Sequence, residues 1–213
     1  MICSIHLALL TPCTIMSKKT IAQLISRIFD PAVLGVVILL VAIGKSPMNY
    51  TEMFAWLLVI VILNGLVPLL FLIYFTNHGY VFDDVLTNSG VHQQRIRLFL
   101  VFWTVVAVEL LVLVSTTQYQ PLLAVFTGGL IAATFAVIIT RFWKISLHSA
   151  LATFFVAMLI FIYGTNIWPV ILFIPLVFWS RMYLHRHTFW QLSAGMLMAF
   201  FIILATFYMY GLI

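Results

Sequence analysis

Long apolar runs broken by short polar stretches organise this chain from residue 31 to its end. Apolar stretches of about 20 residues are what a helix needs to cross the hydrocarbon core of a bilayer. Read this way, the pattern predicts seven spans, at residues 31–44, 52–75, 98–114, 121–142, 146–163, 167–183 and 189 to the end. The runs are continuously apolar and lack the alternation of a barrel strand, and inside a bilayer only helices and closed barrels satisfy their backbone. Ahead of the first run, residues 20–29 (TIAQLISRIF) place Ile21, Leu24, Ile25 and Phe29 on one helical face, with Gln23 and Arg27 off it. That is the pattern of an interfacial amphipathic lead-in. The expected fold is all-α: a polytopic transmembrane helix bundle with a six-span core plus one. No internal repeat or low-complexity segment interrupts it.

Composition agrees with the pattern. The chain is 65% hydrophobic and 7% charged, against roughly 25% charged residues in a soluble domain. That excludes a soluble enzyme with a greasy core. The formal charge of +5 is read as basic residues flanking membrane spans, not as a nucleic-acid footprint. Cys3 and Cys13 imply no disulfide framework. Residues 1–15 (MICSIHLALLTPCTI) lack a basic n-region and make a poor signal peptide. Met16 with the following Ser-Lys-Lys reads as a natural start, so 1–15 is expected to be a dispensable leader. Residues 16–30 form the interfacial segment, and 31–213 a single transmembrane domain.

Seven spans put the N-terminal segment and the loops at 76–97, 143–147 and 184–188 on one side. Of the ten Lys and Arg residues, nine fall there (Lys18, Lys19, Arg27, Arg95, Arg97, Arg141, Lys144, Arg181 and Arg186) and Lys45 is opposite. The positive-inside rule makes that face cytoplasmic. Asp83 and Asp84 lie in the polar 76–97 stretch and are expected to be solvated. Glu109 sits inside a span, about 16 Å from its start at 1.5 Å per residue. That is too deep for chemistry at the interface, so a structural or lipid-tail-pocket role is expected.

Three polar clusters reach the same face: His92–Arg97 (HQQRIR), Lys144–Ser149 (KISLHS) and Ser180–Gln191 (SRMYLHRHTFWQ). Successive clusters are two spans apart, so distant segments can meet in one site. The spacing Ser180-Arg181, five residues, His187, three residues, Gln191 carries the most information. If the chain is helical from Thr188, His187 and Gln191 share a face. The Gln carbonyl then accepts one imidazole N–H and leaves the other nitrogen as a nucleophile.

This segment resembles the third motif of the type 2 phosphatidic acid phosphatase and haloperoxidase superfamily, Ser-Arg-(five residues)-His-(three residues)-Asp. KISLHS resembles its second motif, Pro-Ser-Gly-His-Ser, and HQQRIR falls where Lys-(six residues)-Arg-Pro would lie. Residues 25–35 (ISRIFDPAVLG) resemble small bacterial and archaeal members, which implies a bacterial or archaeal plasma membrane. The resemblance covers about Arg95 to Gln191, roughly half the chain. It implies phosphatase activity on a lipid phosphate or pyrophosphate, with no metal or other cofactor. By motif position His187 attacks phosphorus, His148 protonates the leaving oxygen and Gln191 orients His187. Arg181, Arg95 and Ser146 hold the phosphate oxygens, joined by Arg97, Ser180 and Lys144, the last as the cation missing from the first motif. Guanidinium forks suit that task because they bind phosphate bidentately and stay charged.

The sequence departs from the family pattern at Gln191 (Asp expected), Leu147 (Gly), Ile145 (Pro) and the absent Lys before Arg95. Replacing a charge-assisted hydrogen bond by a neutral one at Gln191 is worth on the order of tenfold in rate. These departures keep open a second class, a non-catalytic transporter or scaffold on the same fold. A metal site built from His148, His185 and His187 is a third reading.

Overall fold

The protein is described by a computed structural model, which covers residues 17–77, 92–116 and 119–213. Among these residues it is all-helical. Helix α1 runs Lys18–Ile28, α2 Pro31–Lys45 and α3 Tyr50–Ile60, continued by a π-helical turn over Val61–Leu66 into α4, Val67–Asn77. Then come α5, His92–Thr116; α6, Gln120–Phe142; and α7, Leu147–Tyr163. A 3-10 segment, Thr165–Leu172, leads into α8, Phe173–Tyr183, and α9 is Phe189–Met209. Residues 1–15, Asp83 and Asp84 lie outside the described residues.

Local chemistry sets the boundaries. Ser17, Asp30, Asn49, Ser146 and Thr188 are side-chain N-caps, each accepting a backbone N–H of the first turn. Pro31 follows its cap at the first helical position, where the missing N–H costs nothing. Gly164, with φ 83°, ends α7 in a conformation open to glycine.

Among the described residues, four helical stretches are long and apolar enough to cross a membrane: Tyr50–Phe71, Gln120–Phe142, Thr165–Tyr183 and Phe189–Met209. A fifth arises if α1 and α2, bent by 43° at their break, count as one. Leu100–Thr116 and Leu147–Tyr163 are shorter apolar helices, so the described residues give four or five spans and do not confirm the expected seven. Helix α7 has 17 residues and extends about 26 Å at 1.5 Å per residue, a little less than the hydrocarbon thickness. It is an interior helix: Ser149, Ala150, Ala152, Thr153, Phe154, Val156, Ala157 and Met158 are all buried. α9, α2 and α8 pack around it, with α6 against both α2 and α9.

The outer surface is apolar. Leu111, Phe142 and Tyr208 are 71%, 79% and 75% exposed, a state that lipid stabilises and water does not. Polar groups are turned inward instead: Glu109, Thr140, Ser146, Ser149, Thr153, Ser180 and Thr206 are all buried. This marks a membrane protein.

Side-chain hydrogen bonds tie the helices to one another. Trp103 Nε1 donates to Thr134 Oγ1 at 2.9 Å, and Thr127 meets Tyr210 Oη at 2.9 Å. At the end of the bundle away from His148, Tyr119 Oη donates to Glu52 at 2.7 Å. That bond holds the Tyr119 phenol above its usual pKa. Asn64, on the π-helical turn, donates from Nδ2 to Glu109 Oε1 at 2.6 Å. Glu109 is therefore hydrogen-bonded through one carboxyl oxygen, while Oε2 is buried without a hydrogen-bond partner. Replacing Asn64 by Leu removes this hydrogen bond to the carboxyl and is expected to cost about 1–2 kcal/mol. Glu109→Gln keeps a hydrogen-bonding partner for Asn64 and should melt near the wild type. Thermal unfolding in detergent checks both, and equal losses would show that charge, not the hydrogen bond, matters there.

Helix α1 divides its apolar residues between two faces. Ile21 and Leu24, read as part of the interfacial apolar face, are 39% and 48% exposed, whereas Ala22 is 0% and Phe29 8%. The docked stripe is Ala22, Ile25, Ser26 and Phe29, spaced i, i+3, i+4, i+7. Phe29 packs on the Phe173 ring of α8, with centroids 5.2 Å apart. Ile21, Leu24 and Ile28 face outward. Small residues at Ala22 and Ser26 let two helices approach closely, and here that approach matters more than apolar bulk.

Candidate active site

One end of the bundle gathers the α1–α2 break, the α6–α7 linker, the α8–α9 turn and the first turns of α7 and α9. The α8–α9 turn explains the spacing of Arg181 and His187. The N–H of Arg186 bonds back to the Arg181 carbonyl and that of His185 to Met182, both at 3.0 Å. Together these are a Schellman cap. His185 takes the left-handed position that glycine usually fills, with φ 51°. The chain reverses on itself, so five intervening residues return His187 toward Arg181.

His148 lies in the first turn of α7, within electrostatic range of both Arg181 and His187, and its ring lies beside the backbone of Ser26. Arg181 donates from Nη1 to Ser26 Oγ at 2.7 Å. Its Nε is buried without a hydrogen-bond partner, and both Asp30 and Arg186 act on its charge. His187 is half-buried, with Nδ1 inside. His148, Arg181 and His187, drawn from two stretches of chain, therefore form one cluster, and α1 closes over it. Two imidazoles beside a buried guanidinium make a site suited to an anion.

No family model matches this chain, and no curated protein or solved structure matches it.

The other expected site residues are placed differently. Gln191 is not on one helical face with His187, because α9 begins at Phe189 and Thr188 is its N-cap. Gln191 Oε1 accepts the Thr188 N–H at 3.1 Å, and Thr188 Oγ1 accepts the Gln191 N–H at 3.4 Å. This is a capping box, and its Thr-x-x-Gln signature stands in the sequence. Ser180 is 0% exposed and donates to the Ala22 carbonyl at 2.7 Å, which pins α1 and takes the hydroxyl away from phosphate. Ser146 is the buried cap of α7, accepting the Ser149 N–H at 3.5 Å. Its own N–H reaches the Gln191 carbonyl at 3.3 Å. Ile145, 1% exposed, is a core residue where the family has Pro.

Lys144 is half-buried in the α6–α7 linker. Arg95 and Arg97 lie in the first two turns of α5, and their side chains are outside the described residues. The Trp103–Thr134 bond between α5 and α6 sets the register of this helical hairpin. By it, the α5 N-terminus lies at the same end as the site. His185 is exposed, and no group of three or more His, Cys, Asp or Glu among the described residues is arranged to hold a metal ion.

Ser26 is the member that the motif spacing does not include. Its signal was the small-xxx-small pair Ala22-x-x-x-Ser26. The apolar groove lined by Phe201, Leu204, Ala205, Tyr208 and Ile213 begins about 18 Å along α9 from its N-terminus and is no part of this cluster.

Gln191→Ala tests its reassignment. Losing a capping box costs about 0.5–1 kcal/mol of stability and should leave kcat within about threefold of wild type. A large fall in kcat at unchanged melting temperature would return Gln191 to the orientation of His187.

Proposed function

We propose that this protein is an integral membrane phosphatase that hydrolyses a lipid phosphate or pyrophosphate, such as phosphatidate or an isoprenoid phosphate, through a phosphohistidine. The observation that carries the reading is the meeting of His148, Arg181 and His187 at one end of an apolar bundle. A lipid tail stays in the bilayer while its headgroup reaches this end. Arg181, buried with its Nε open, draws the phosphate, and charge-assisted bonds to it are about twice as strong as neutral ones. The first turns of α7 and α9 also face the site and favour an anion there.

In the first step an imidazole nitrogen of His187 attacks phosphorus, the bond from phosphorus to the lipid oxygen breaks, and His148 gives that oxygen a proton. In the second, water attacks the phosphohistidine, His148 takes up the water's proton, and phosphate leaves. The anionic substrate itself favours the protonated form of His148. Seven crossings, three of them made by the shorter helices, with the basic end in the cytoplasm, complete this reading.

A second reading, a transporter or scaffold without catalysis, draws on Ser146, Ser180 and Gln191, whose polar groups hold helix ends in place. Phosphate release by detergent-purified protein separates the two. The assay offers phosphatidate, farnesyl pyrophosphate and undecaprenyl pyrophosphate with a chelator present. Release that survives chelation supports the phosphatase; no release from any of them by folded protein favours the second reading.

A further inference from the structure

Ser26 meets both candidate catalytic groups at once. Its hydroxyl receives Arg181 Nη1 at 2.7 Å, and its backbone lies beside the His148 ring. The carbonyl is available because α1 ends here. The N–H of Asp30, which would continue the helix onto Ser26, turns back to the Arg27 carbonyl at 3.2 Å. The last carbonyls of a helix have no partner within it, and the His148 ring lies beside this one.

Both contacts have consequences for chemistry. An imidazole that donates one N–H to a carbonyl has its tautomer set, and the other nitrogen faces the reaction. A guanidinium held at Nη1 cannot swing, so its Nε, buried and without a partner, is presented to an incoming oxygen. Ser180 Oγ bonded to the Ala22 carbonyl at 2.7 Å and Phe29 packed on Phe173 fix α1 against α8 on either side of Ser26. We propose that Ser26 is a positioning residue of the phosphate site, clamping one arm of Arg181 through its hydroxyl and orienting His148 through its carbonyl, so that α1 is a working wall of that site. The inference rests on the phosphate reading of the cluster.

The test uses the full chain in detergent, with inorganic phosphate as the probe and the Arg181 Nε–H resonance as a readout independent of turnover. Wild type should give a sharp Nε–H signal that shifts as phosphate is added. Ser26→Ala should broaden that signal and weaken phosphate affinity about tenfold, the effect of one lost charge-assisted bond. In hydrolysis the loss should fall mainly on KM. Ser26→Thr, which keeps the hydroxyl, should restore signal and affinity. If wild type responds to phosphate and Ser26→Ala matches it, the positioning role is overturned. A wild-type signal indifferent to phosphate, together with no hydrolysis, overturns the phosphatase reading itself.

Discussion

His187→Ala is expected to abolish phosphate release from every lipid phosphate while the protein stays folded. Loss of a nucleophile removes the covalent route, and comparable deletions lower turnover by 10³-fold or more. His187 lies in the turn ahead of α9, where Thr188 does the capping, and it is only half-buried. The substitution therefore deletes no cap and opens no core cavity. Melting should change by no more than about 2 °C, as for a surface change of about 0.5 kcal/mol. Release assayed beside thermal unfolding decides the matter. Activity retained in folded His187→Ala would end the phosphohistidine mechanism.

Gly195→Ala is expected to have the largest effect on stability. A Cβ at Gly195 would stand 2.5 Å from the Ser146 carbonyl oxygen and 2.6 Å from Ser149 Oγ. Neither atom can give way easily. The Ser146 carbonyl accepts the Ala150 N–H at 3.2 Å, and Ser149 Oγ bridges to the Leu192 carbonyl at 2.8 Å. Helices α7 and α9 must separate, a strain of about 1–3 kcal/mol. The displaced turn of α7 carries His148, so phosphate release should fall as well. Gly35→Ala is the control. A Cβ there meets nothing within 4 Å, and helix propensity should make it neutral or stabilising by up to about 1 kcal/mol. If the two variants melt alike, the α7–α9 contact is not the lock this geometry describes.

The same contact shows why reading residues by motif alone misassigned some of them. Ser146 and Ser180 stand at motif positions, and a hydroxyl there reads as a phosphate ligand. Whether such a group faces a ligand or a neighbouring helix depends on a helix that arrives from far along the chain. For Ser180 that helix is α1, 158 residues earlier. Gln191 was a different matter, since its Thr-x-x-Gln capping signature is local and was legible. The i, i+4 reading took the chain as helical from Thr188, whereas Thr188 is the non-helical cap of a helix that begins at Phe189.

What the sequence determined by itself is what depends on local pattern. The apolar runs mark helices that belong in lipid, because neither their surface nor their backbone can be satisfied otherwise. The Arg181–His187 spacing encodes a helix end and a reversal, which bring those two residues together through their own backbone hydrogen bonds. Tertiary structure alone decided the rest. It enclosed α7 as an interior helix, paired Glu109 with Asn64 across 45 residues, and brought Ser26 to Arg181 across 155. The physical reason is the same in each case. Close approach between helices is set by small residues and single hydrogen bonds, which leave almost no trace in hydropathy, whereas burial in lipid is set by many apolar residues acting together.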